Sequence, residues 1–354
     1  MPASLARINA IGTATPGHDI HQAFIDWAGQ RVTDPRETGL FSRMAARSGI
    51  AHRYSVLPRG KDGGSPVGPD GFYAADILPP TSARMSLYAE YAPELALEAI
   101  RALGPIGNIS HLVVASCTGF TAPGVDQIIA ERLGLSPSVE RLLVGFMGCY
   151  AAISALRSAR HIVRSDPQAR VLVVAVELST IHLQPDSAIE PLLAMLQFGD
   201  GAAAAIVTAG GPGLAIDAPF AATLPDSGDL IRWTIGDQGF AMHLSGEVPS
   251  RIAEALRDPG FRKILTGGPD PSAVDAWAVH AGGRSILDAV SHALDLEEDV
   301  LAVSRAVLRD FGNMSSATLM FALARFMKER PERGVALAFG PGLAAEGFGF
   351  HRVD

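Results

Sequence analysis

The feature that most constrains the fold is a repeated alternation of short apolar runs with longer segments of helical periodicity. The apolar runs are six to eight residues long and rich in valine, leucine and alanine, which is typical of buried strands. Strands that alternate with helices indicate an α/β protein. The predicted strands are 111–116, 141–146, 170–177, 202–208, 276–281 and 334–340. The predicted helices are 92–102, 125–133, 150–165, 284–293 and 315–328, and the glycine- and proline-rich stretch 57–71 is predicted to be a surface loop.

Composition and charge exclude several classes of protein. The 354 residues are 48% hydrophobic and carry a net charge of −8 without a run of lysine or arginine, so a nucleic-acid partner is not expected. The longest apolar runs, such as 171–176, are too short to cross a membrane, and the first residues lack the pattern of a secretory signal. Two cysteines are too few for a disulfide framework or a four-ligand zinc site. We therefore predict a soluble, cytoplasmic protein without a metal.

Two segments of the chain, 148–177 and 312–340, share the same layout. Each begins with glycine and a polar residue, continues as a helix of small and apolar residues, and passes through a proline-containing turn into an apolar run. Cys149 stands 22 positions before the first valine of its apolar run, and Asn313 also stands 22 positions before its own. A duplicated helix–strand unit would place both residues at equivalent helix starts in two halves. Helix–turn–strand units also have similar lengths by coincidence, so both interpretations stay open.

Cys149 lies where an apolar run turns into a helix. A thiol is a useful nucleophile only as the thiolate, and the N–H groups at a helix start stabilise that anion. A neighbouring imidazolium would stabilise it further. The competing interpretation is a buried structural cysteine, because free cysteine is among the most buried residue types.

His280 and Asn313 are candidate partners for this nucleophile. His280 ends an apolar run and is followed by Gly282, Gly283 and a helix, the position at which α/β sheets present groups to ligands. Asn313 precedes a helix of small residues and could donate its amide N–H to a developing oxyanion. His280 could instead be a core histidine, and Asn313 a helix N-cap. Together with Cys149, the two residues form a Cys–His–Asn set suited to acyl transfer.

Metal and nucleotide sites find no support in the motifs. The sequence contains neither HExxH nor clustered acidic ligands. The glycine-rich stretches 198–205 and 338–350 match neither a dinucleotide-binding nor a phosphate-binding motif, so we interpret them as tight turns.

These motifs together resemble those of type III polyketide synthases, the chalcone-synthase-like members of the thiolase superfamily. The resemblance covers nearly the whole chain and implies a thiolase-like, five-layered αβαβα fold of two pseudo-duplicated halves. The first half, 1–210, would carry the cysteine, and the second, 211–354, the histidine and asparagine. The resemblance also implies a homodimer. The motifs that carry it are GCYAAISALR at 148–157, FGDGAAAAIV at 198–207, VHAGGRSILD at 279–288, GNMSSAT at 312–318 and FGPGLAAE at 339–346.

The resemblance implies a role for each catalytic residue. Cys149 would take the acyl group from a starter acyl-CoA, and His280 would hold Cys149 as a thiolate in an ion pair. His280 and Asn313 would then donate hydrogen bonds to the thioester oxygen of malonyl-CoA while decarboxylation produces an enolate. The enolate would attack the Cys149 thioester and lengthen the chain by one ketide unit. No metal or redox cofactor would be needed, because loss of the carboxylate drives the step.

The resemblance also implies substrate-binding residues. Arg43 and Arg47 match basic positions that bind CoA phosphates, although a solvated helix face would look the same. Gly282 and Gly283 are expected beside the CoA. Phe198 matches a gatekeeper phenylalanine between the acyl cavity and the CoA tunnel. The predicted cavity residues are Phe198, Cys117, Thr118, Ser179, His182, Trp233, Met242, Ser315 and Phe339.

Several cavity positions depart from the plant enzymes that this sequence resembles. Met242 replaces a second gatekeeper phenylalanine with a more pliable side chain. Trp233 stands in place of a small glycine. Cys117 stands where plant enzymes often have threonine and bacterial members frequently have cysteine. Ser179 and His182 replace threonines that shape the plant cavity. We therefore expect a linear acyl starter, few extensions, and closure to an alkylpyrone or alkylresorcinol.

Three alternatives have less support in the sequence. A ketoacyl synthase that initiates fatty acid synthesis with acyl carrier protein has a His–Gln–Ala–Asn run, where this chain reads VHAGG. A papain-like cysteine hydrolase would require a Cys–Gly–Ser/Ala sequence before the nucleophile, and it is missing. A non-catalytic scaffold would be expected to lose one of the three candidate residues.

Overall fold

Thirteen strands and eleven helices alternate along the residues that the computed structural model describes, 5–60, 64–74, 78–266, 270–297 and 299–354. The strands are β1 Arg7–Ala14, β2 His18–Asp19, β3 Tyr54–Ser55, β4 His111–Ser116, β5 Glu140–Gly145, β6 Val171–Leu178, β7 Asp200–Thr208, β8 Gly213–Thr223, β9 Ile231–Gly236, β10 Gly239–Leu244, β11 Ala276–Val279, β12 Gly334–Gly340 and β13 Ala344–Val353. The helices are α1 His21–Arg31, α2 Pro35–Ala46, α3 Thr81–Arg101, α4 Val125–Arg132, α5 Ala151–Ser165, α6 Ile189–Met195, α7 Val248–Arg257, α8 Pro259–Thr266, α9 Arg284–Ala293, α10 Ala302–Phe311 and α11 Ala317–Phe326.

Nine of these strands are hydrogen-bonded in the order β11-β12-β13-β8-β1-β7-β6-β4-β5. The two halves of the sheet join where β1 pairs with β8, at Arg7–Ala215 and Ile8–Leu214. On one side of this junction, β4 and β6 are parallel, and β7 and β1 continue antiparallel. On the other side, β11 and β12 are parallel, and β13 and β8 continue antiparallel. The same pairing pattern therefore occurs twice.

This repeat explains the equal spacing seen in the sequence. The helix α5 follows Cys149 and leads into β6, and α11 follows Asn313 and leads into β12. Because β6 and β12 occupy the same place in the two pairing patterns, Cys149 and Asn313 precede equivalent helices.

The alternation of side chains along the strands divides the interior into three apolar cores. On β6, Val171, Val173 and Ala175 face a central core that contains α5 and α11, whereas Leu172 and Val174 face an outer core formed with α1 to α4. On β12 the same alternation separates the central core from a second outer core, formed with α7, α9 and α10. Helices thus cover both outer faces and also fill the space between the two half-sheets. This is the predicted five-layered αβαβα arrangement.

The strand β7 shows why small residues are needed between these layers. Ala202 and Ala204 are fully buried against the outer core, and Ala203 and Ala205 are fully buried against the central core. The helices α3 and α11 both contact this strand. Small side chains let both helices approach the sheet closely without leaving voids.

All the predicted strands and helices are present; β4, β12 and α9 have the predicted bounds, and the others have shifted ends. The largest difference is in α3, which begins at Thr81 instead of 92, and the strand predicted at 276–281 ends at Val279. The predicted loop 57–71 contains no helix or strand among its described residues, and its residues 61–63 lie outside them. Within the described residues, no helix is both long enough and apolar enough to span a bilayer.

Candidate active site

A tight backbone turn carries Cys149 from β5 to α5. Cys149 lies in a short 3₁₀ turn directly before α5. The preceding Gly148 has φ +73°, and a Cβ at this position would lie 2.4 Å from Cδ of Pro341. A Cβ on Gly340 would lie 2.6 Å from the Tyr150 ring. The motifs GCY and FGPG need these glycines because the two turns pack directly against each other.

The Cys149 sulfur is buried beside Ser315 and Asn313. The Ser315 hydroxyl donates a hydrogen bond to Sγ over 3.9 Å. The pKa of Cys149 is raised to about 12; burial is the largest cause, and the negative charge of Glu177 acts in the same direction. Hydrogen bonds from Ser315 and from the Asn313 side chain lower this pKa. Both donors therefore stabilise the thiolate relative to the thiol.

His280 lies one residue beyond the end of β11. Its backbone N–H donates to the carbonyl of Leu337 on β12 over 2.8 Å, which holds the chain in place. The residue is 2% exposed, yet neither ring nitrogen has a hydrogen-bond partner among the described residues. Burial lowers the pKa of His280 to about 3. Because buried polar groups are nearly always hydrogen-bonded, an unpartnered imidazole at a strand end indicates a functional site.

The ion pair between Cys149 and His280 stays a prediction. No hydrogen bond joins the His280 ring nitrogens to Cys149 or to any other described residue. Burial favours a neutral thiol on Cys149 and a neutral imidazole on His280. The physical reason is desolvation, because burial makes a thiolate or an imidazolium alone unfavourable. If both charges formed together, their mutual attraction would offset part of this desolvation cost.

Hydrogen bonds fix the side chain and the backbone of Asn313. Its Nδ2 donates to the carbonyl of Gly282 over 3.2 Å, and its Oδ1 accepts from the backbone N–H of Ser315 over 2.8 Å. The backbone of Asn313 forms a parallel bridge with Phe198. A Cβ on Gly282 would lie 3.6 Å from Nε2 of His280, so Gly282 contacts both catalytic candidates. The helix α11 begins four residues after Asn313, so the N-cap interpretation is wrong.

Two neighbouring cavities share one wall. The smaller cavity lies against Cys149 and has a volume of about 10 Å³, enough for about one water molecule. The larger cavity has a volume of about 230 Å³ and an apolar lining. The residues that line both are Ser179, Phe198, Trp233 and Met242. The other residues around the smaller cavity are Cys117, Thr118, Phe146, Gly148, Ser315 and Pro341.

The hairpin of β9 and β10 supplies two of the four residues of this shared wall, Trp233 and Met242. Trp233 and Met242 are directly paired across the hairpin. The indole Nε1 of Trp233 donates to the backbone carbonyl of Cys117 over 3.1 Å. The Trp233 ring centroid lies 6.4 Å from that of Phe198. Trp233, Met242 and Phe198 are thus held together between the two cavities.

His182 lines the larger cavity as a neutral, fully bonded side chain. Its Nε2 lies 2.7 Å from the Thr118 carbonyl oxygen, and its Nδ1 accepts the backbone N–H of Phe240 over 3.1 Å. This pair of bonds fixes the tautomer, because Nε2 must carry the proton. The ring stacks on Phe240 at a centroid distance of 4.2 Å. Burial lowers the pKa of His182 to about 3, so the ring stays uncharged at neutral pH.

Glu177, which the sequence analysis missed, lies behind the Cys149 cavity. One oxygen accepts from the backbone N–H of Cys117 over 3.0 Å and from the Thr118 hydroxyl over 2.9 Å, and the other accepts from Ser316. Burial raises the pKa of Glu177 to about 7. Burial and this carboxylate raise the pKa of Cys117 well above its usual value, so Cys117 stays a thiol. The signal in the sequence was a single acidic residue within the apolar run VLVVAVEL.

The prediction of Phe339 as a cavity residue is wrong. Phe339 points with Val335 and Leu337 into the second outer core, because these three residues share one face of β12. Two aromatic residues that the sequence analysis missed, Phe146 and Phe240, line the cavities instead. The place of Phe146 beside the GCY motif could have indicated it, but no motif marks Phe240.

Arg43 and Arg47 lie exposed at the C-terminal end of α2. Neither guanidinium forms an ion pair or a hydrogen bond with a described residue. The backbone carbonyl of Arg47 accepts a hydrogen bond over 3.2 Å from Arg284, the first residue of α9. Gly283 directly precedes Arg284, and a Cβ on Gly283 would lie 3.2 Å from the side-chain oxygen of Gln197. The end of α2 is therefore adjacent to the turn that joins His280 to α9.

Comparisons with known proteins agree with this geometry. Residues 2–211 match the N-terminal domain of chalcone and stilbene synthases, and residues 216–354 match their C-terminal domain. Bisdemethoxycurcumin synthase of Oryza sativa subsp. japonica is 35% identical in an alignment of 380 residues with gaps. The alignment covers 99% of this chain and 93% of the relative. The alpha-pyrone synthesis polyketide synthase-like Pks18 of Mycobacterium tuberculosis is 32% identical over 369 residues, which cover 99% of this chain and 92% of the relative.

Solved structures show the same fold. PKS-I from the brown alga Ectocarpus siliculosus superposes with a TM-score of 0.89 at 30% identity and covers 100% of both chains. The C-terminal type III polyketide synthase domain of Steely1, a type I/III hybrid from Dictyostelium, superposes with a TM-score of 0.89 at 26% identity, covering 99% of this chain and 100% of that one. The predicted thiolase-like fold is confirmed. The chain belongs to the chalcone and stilbene synthase family and is a type III polyketide synthase, an acyltransferase that condenses malonyl-CoA.

Proposed function

We propose that this enzyme loads a linear acyl group from an acyl-CoA, extends it by few malonyl-CoA condensations, and closes the product to an alkylpyrone or alkylresorcinol. The observation that carries this proposal is the apolar cavity of about 230 Å³ beyond the wall of Phe198, Trp233 and Met242. The surface that lines this cavity is mostly apolar, although Arg53 and Asp186 also contribute to it, and a mostly apolar lining favours an alkyl tail. The similarity to Pks18, which is named for alpha-pyrone synthesis, supports a pyrone product. The apolar lining includes Ile20, Phe24, Leu57, Leu183, Pro191 and Met195.

The first step of the proposed reaction is acyl transfer to Cys149. The Cys149 proton passes to His280, whose unprotonated ring nitrogen has no hydrogen-bond partner among the described residues and can accept it. The thiolate attacks the thioester carbonyl of the starter, the bond from this carbon to the CoA sulfur breaks, and the CoA thiolate takes the proton from His280. The Ser315 hydroxyl stabilises the Cys149 anion during this step, because it already donates to the sulfur.

The second step is decarboxylation of malonyl-CoA. The carboxylate leaves as CO₂, and its bonding electrons form an enolate whose oxygen accepts hydrogen bonds from His280 and from Nδ2 of Asn313. An amide nitrogen carries two hydrogens, so Nδ2 can keep its bond to Gly282 and donate the second hydrogen to the enolate. The enolate carbon then attacks the Cys149 thioester, and the carbon–sulfur bond breaks to release the thiolate and the extended acyl-CoA. The chain's own donors supply the stabilisation, so we propose no metal or redox cofactor.

We propose that Arg43 and Arg47 bind the CoA phosphates. Both guanidinium groups are exposed and carry no partner among the described residues. The link from Arg47 to Arg284 places them beside the turn that contains Gly282 and Gly283, next to the reacting centre. Planar guanidinium groups suit the paired oxygens of a phosphate.

We also propose a homodimer that forms at the free edge of β5. This strand ends the nine-stranded sheet, and its Leu142 and Leu143 are 43% and 46% exposed. Phe120, which is 47% exposed, packs against Phe146, the residue directly after β5. An apolar edge strand with unpaired backbone groups favours pairing with a second copy of the chain. The two free cysteines suit the reducing cytoplasm, where we place the enzyme.

Mass spectrometry of the products tests the proposed reaction. Purified enzyme would be given malonyl-CoA and a series of acyl-CoA starters, short, long and aromatic, beside a Cys149→Ala control. We expect products that differ by ketide units, a preference for linear alkyl starters, and no product from the control. Exclusive use of aromatic starters would disprove the linear-acyl proposal. A single condensation that requires acyl carrier protein would identify a ketoacyl synthase, and hydrolysis of acyl-CoA alone would retain Cys149 as nucleophile but exclude the condensation.

A further inference from the structure

Arg53 is a buried cation in the same stretch that carries Arg43 and Arg47. It is 1% exposed, and none of the described carboxylates forms an ion pair with it. Its Nε donates to Nδ1 of His21 over 3.0 Å, and Nη2 has no partner among the described residues. A buried charge without a paired carboxylate opposes folding. Asp19 and Asp200 attract this charge without forming an ion pair, and the guanidinium lies 4.8 Å from the centroid of the Phe24 ring, at the wall of the larger cavity. The hydrogen bonds of Nη1 indicate a further role for Arg53.

One side of Arg53 holds residues 195–199, which contain Phe198 and are called the gatekeeper segment below. Its Nη1 donates to the backbone carbonyl of Phe198 over 2.6 Å and to that of Met195 over 3.2 Å. Hydrogen bonds from a charged donor are stronger than neutral ones. The guanidinium therefore fixes the backbone at the residue that separates the two cavities.

The other side of Arg53 contacts the residue before Asn313. Gly312 has φ +67°, and a Cβ there would lie 2.8 Å from Cγ of Arg53. The backbone N–H of Asn313 donates to the Gln197 carbonyl over 2.8 Å, and that of Gly199 donates to the Asn313 carbonyl over 3.0 Å. Arg53 thus touches both strands of the short bridge that joins the gatekeeper segment to Asn313.

We propose that Arg53 is a positioning residue that sets where the Asn313 amide lies relative to Phe198. Its effect should fall on malonyl-CoA decarboxylation, because this is the step in which Asn313 donates to the enolate; the inference thus rests on the proposed function. Acyl loading at Cys149 should be much less affected, since Cys149 is held by the packed GCY and FGPG turns.

Two half-reactions measured separately test this role. Decarboxylation is followed as acetyl-CoA formed from malonyl-CoA without a starter, and loading as the mass increase of the protein with an acyl-CoA. In Arg53→Met we expect kcat for decarboxylation to fall about 10- to 100-fold, because small displacements of a catalytic group have effects of this size. KM and the loading rate should change by less than about threefold. Arg53→Lys should recover part of kcat, because its ammonium can still donate to the Phe198 carbonyl.

Arg84→Met is the matched control. Arg84 is also fully buried and donates to the carbonyls of Ile181 and Leu183, without a hydrogen bond to the gatekeeper segment. We expect it to lower stability while keeping the wild-type ratio of decarboxylation to loading. Equal losses of both half-reactions in Arg53→Met would overturn the inference. If Arg53→Met does not fold, Arg53→Lys decides, because a loss of loading as large as its loss of decarboxylation would overturn the inference as well. A wild-type enzyme that neither loads nor decarboxylates would instead disprove the proposed function.

Discussion

The indole Nε1 of Trp233 donates a hydrogen bond to the backbone carbonyl of Cys117 over 3.1 Å. Trp233 lines both the small cavity at Cys149 and the larger apolar cavity. Moving the indole aside would leave this carbonyl without its partner, which has an energetic cost in a buried site. The size and the fixed orientation of Trp233 therefore limit how much of a growing chain fits beside Cys149.

Trp233→Ala should merge the two cavities. We expect products longer by at least one ketide unit, or acceptance of longer starters, because the volume of the indole becomes space for the chain. Trp233→Phe keeps an aromatic ring in the wall but loses the hydrogen bond and part of the indole volume, so its products should lie between those of the wild type and those of Trp233→Ala. Mass spectrometry with the same series of starters measures both variants. An unchanged product distribution in Trp233→Ala would show that another residue forms the barrier.

Alkylation of Cys149 reports its acidity. Because burial raises the pKa of Cys149 to about 12, we expect alkylation by iodoacetamide to accelerate with pH up to at least pH 9. Ser315→Ala removes a donor to the sulfur and should slow alkylation about three- to tenfold at pH 8, in proportion to one lost hydrogen bond. Ser158→Ala on α5 is the control and should leave the rate unchanged.

Peptide mass spectrometry separates Cys149 from Cys117 in this experiment. A rate already maximal at pH 7, together with a large loss in His280→Gln, would show that the free enzyme holds a thiolate–imidazolium ion pair. That outcome would mean that the attraction between the two charges outweighs their desolvation.

Glu177→Gln should change how stability depends on pH. The folded state raises the pKa of Glu177 from 4.5 to about 7, so the neutral carboxyl contributes stability that is present below pH 4.5 and is lost as the pH rises through 7. Between pH 4.5 and pH 8, the wild type should lose about 3 kcal/mol of unfolding free energy relative to the variant. Denaturant unfolding at the two pH values measures this difference. If the unfolding free energies of wild type and variant differ by the same amount at both pH values, Glu177 is ionised at both.

Arg43→Ala and Arg47→Ala should weaken CoA binding without altering the chemistry. We expect KM for malonyl-CoA to rise about three- to tenfold for each, with kcat within about twofold, because exposed ionic contacts are screened by water and salt. Arg36→Ala, at the exposed start of the same helix, is the control and should leave KM unchanged. Steady-state kinetics at low and high ionic strength would reveal whether Arg43 and Arg47 bind the CoA phosphates. Loss of kcat with unchanged KM would argue against phosphate binding.

Leu142→Lys and Leu143→Lys should prevent dimer formation. A charge on the free edge of β5 cannot be buried against a second chain without a large desolvation cost. Sedimentation velocity should then show a monomer, whereas Ile264→Lys, at another exposed apolar residue on α8, should remain a dimer. A monomeric wild type would refute the proposed assembly.

The sequence predicted those site residues that lie at a recognisable position of the backbone, such as the start of a helix. Cys149 and Asn313 were found because each precedes a helix that leads into a buried strand, a pattern visible as equal spacing. Glu177 and Arg53 were not found, because a single charged residue in an apolar or basic stretch has no periodic signature. Phe339 was misassigned because the motif FGPG indicates the turn but does not show which face of β12 each side chain occupies.

By itself, the sequence determined the α/β class and indicated an equally spaced helix–strand unit and a candidate Cys–His–Asn set, since these depend on local periodicity and on residue types at helix and strand ends. Only the tertiary structure decided that Trp233, Met242 and Phe198 form one wall, that Arg53 joins the segments of Phe198 and Asn313, and that burial favours neutral Cys149 and His280. The physical reason is that desolvation and cavity shape depend on contacts between residues far apart in the chain, for which the sequence carries no local pattern.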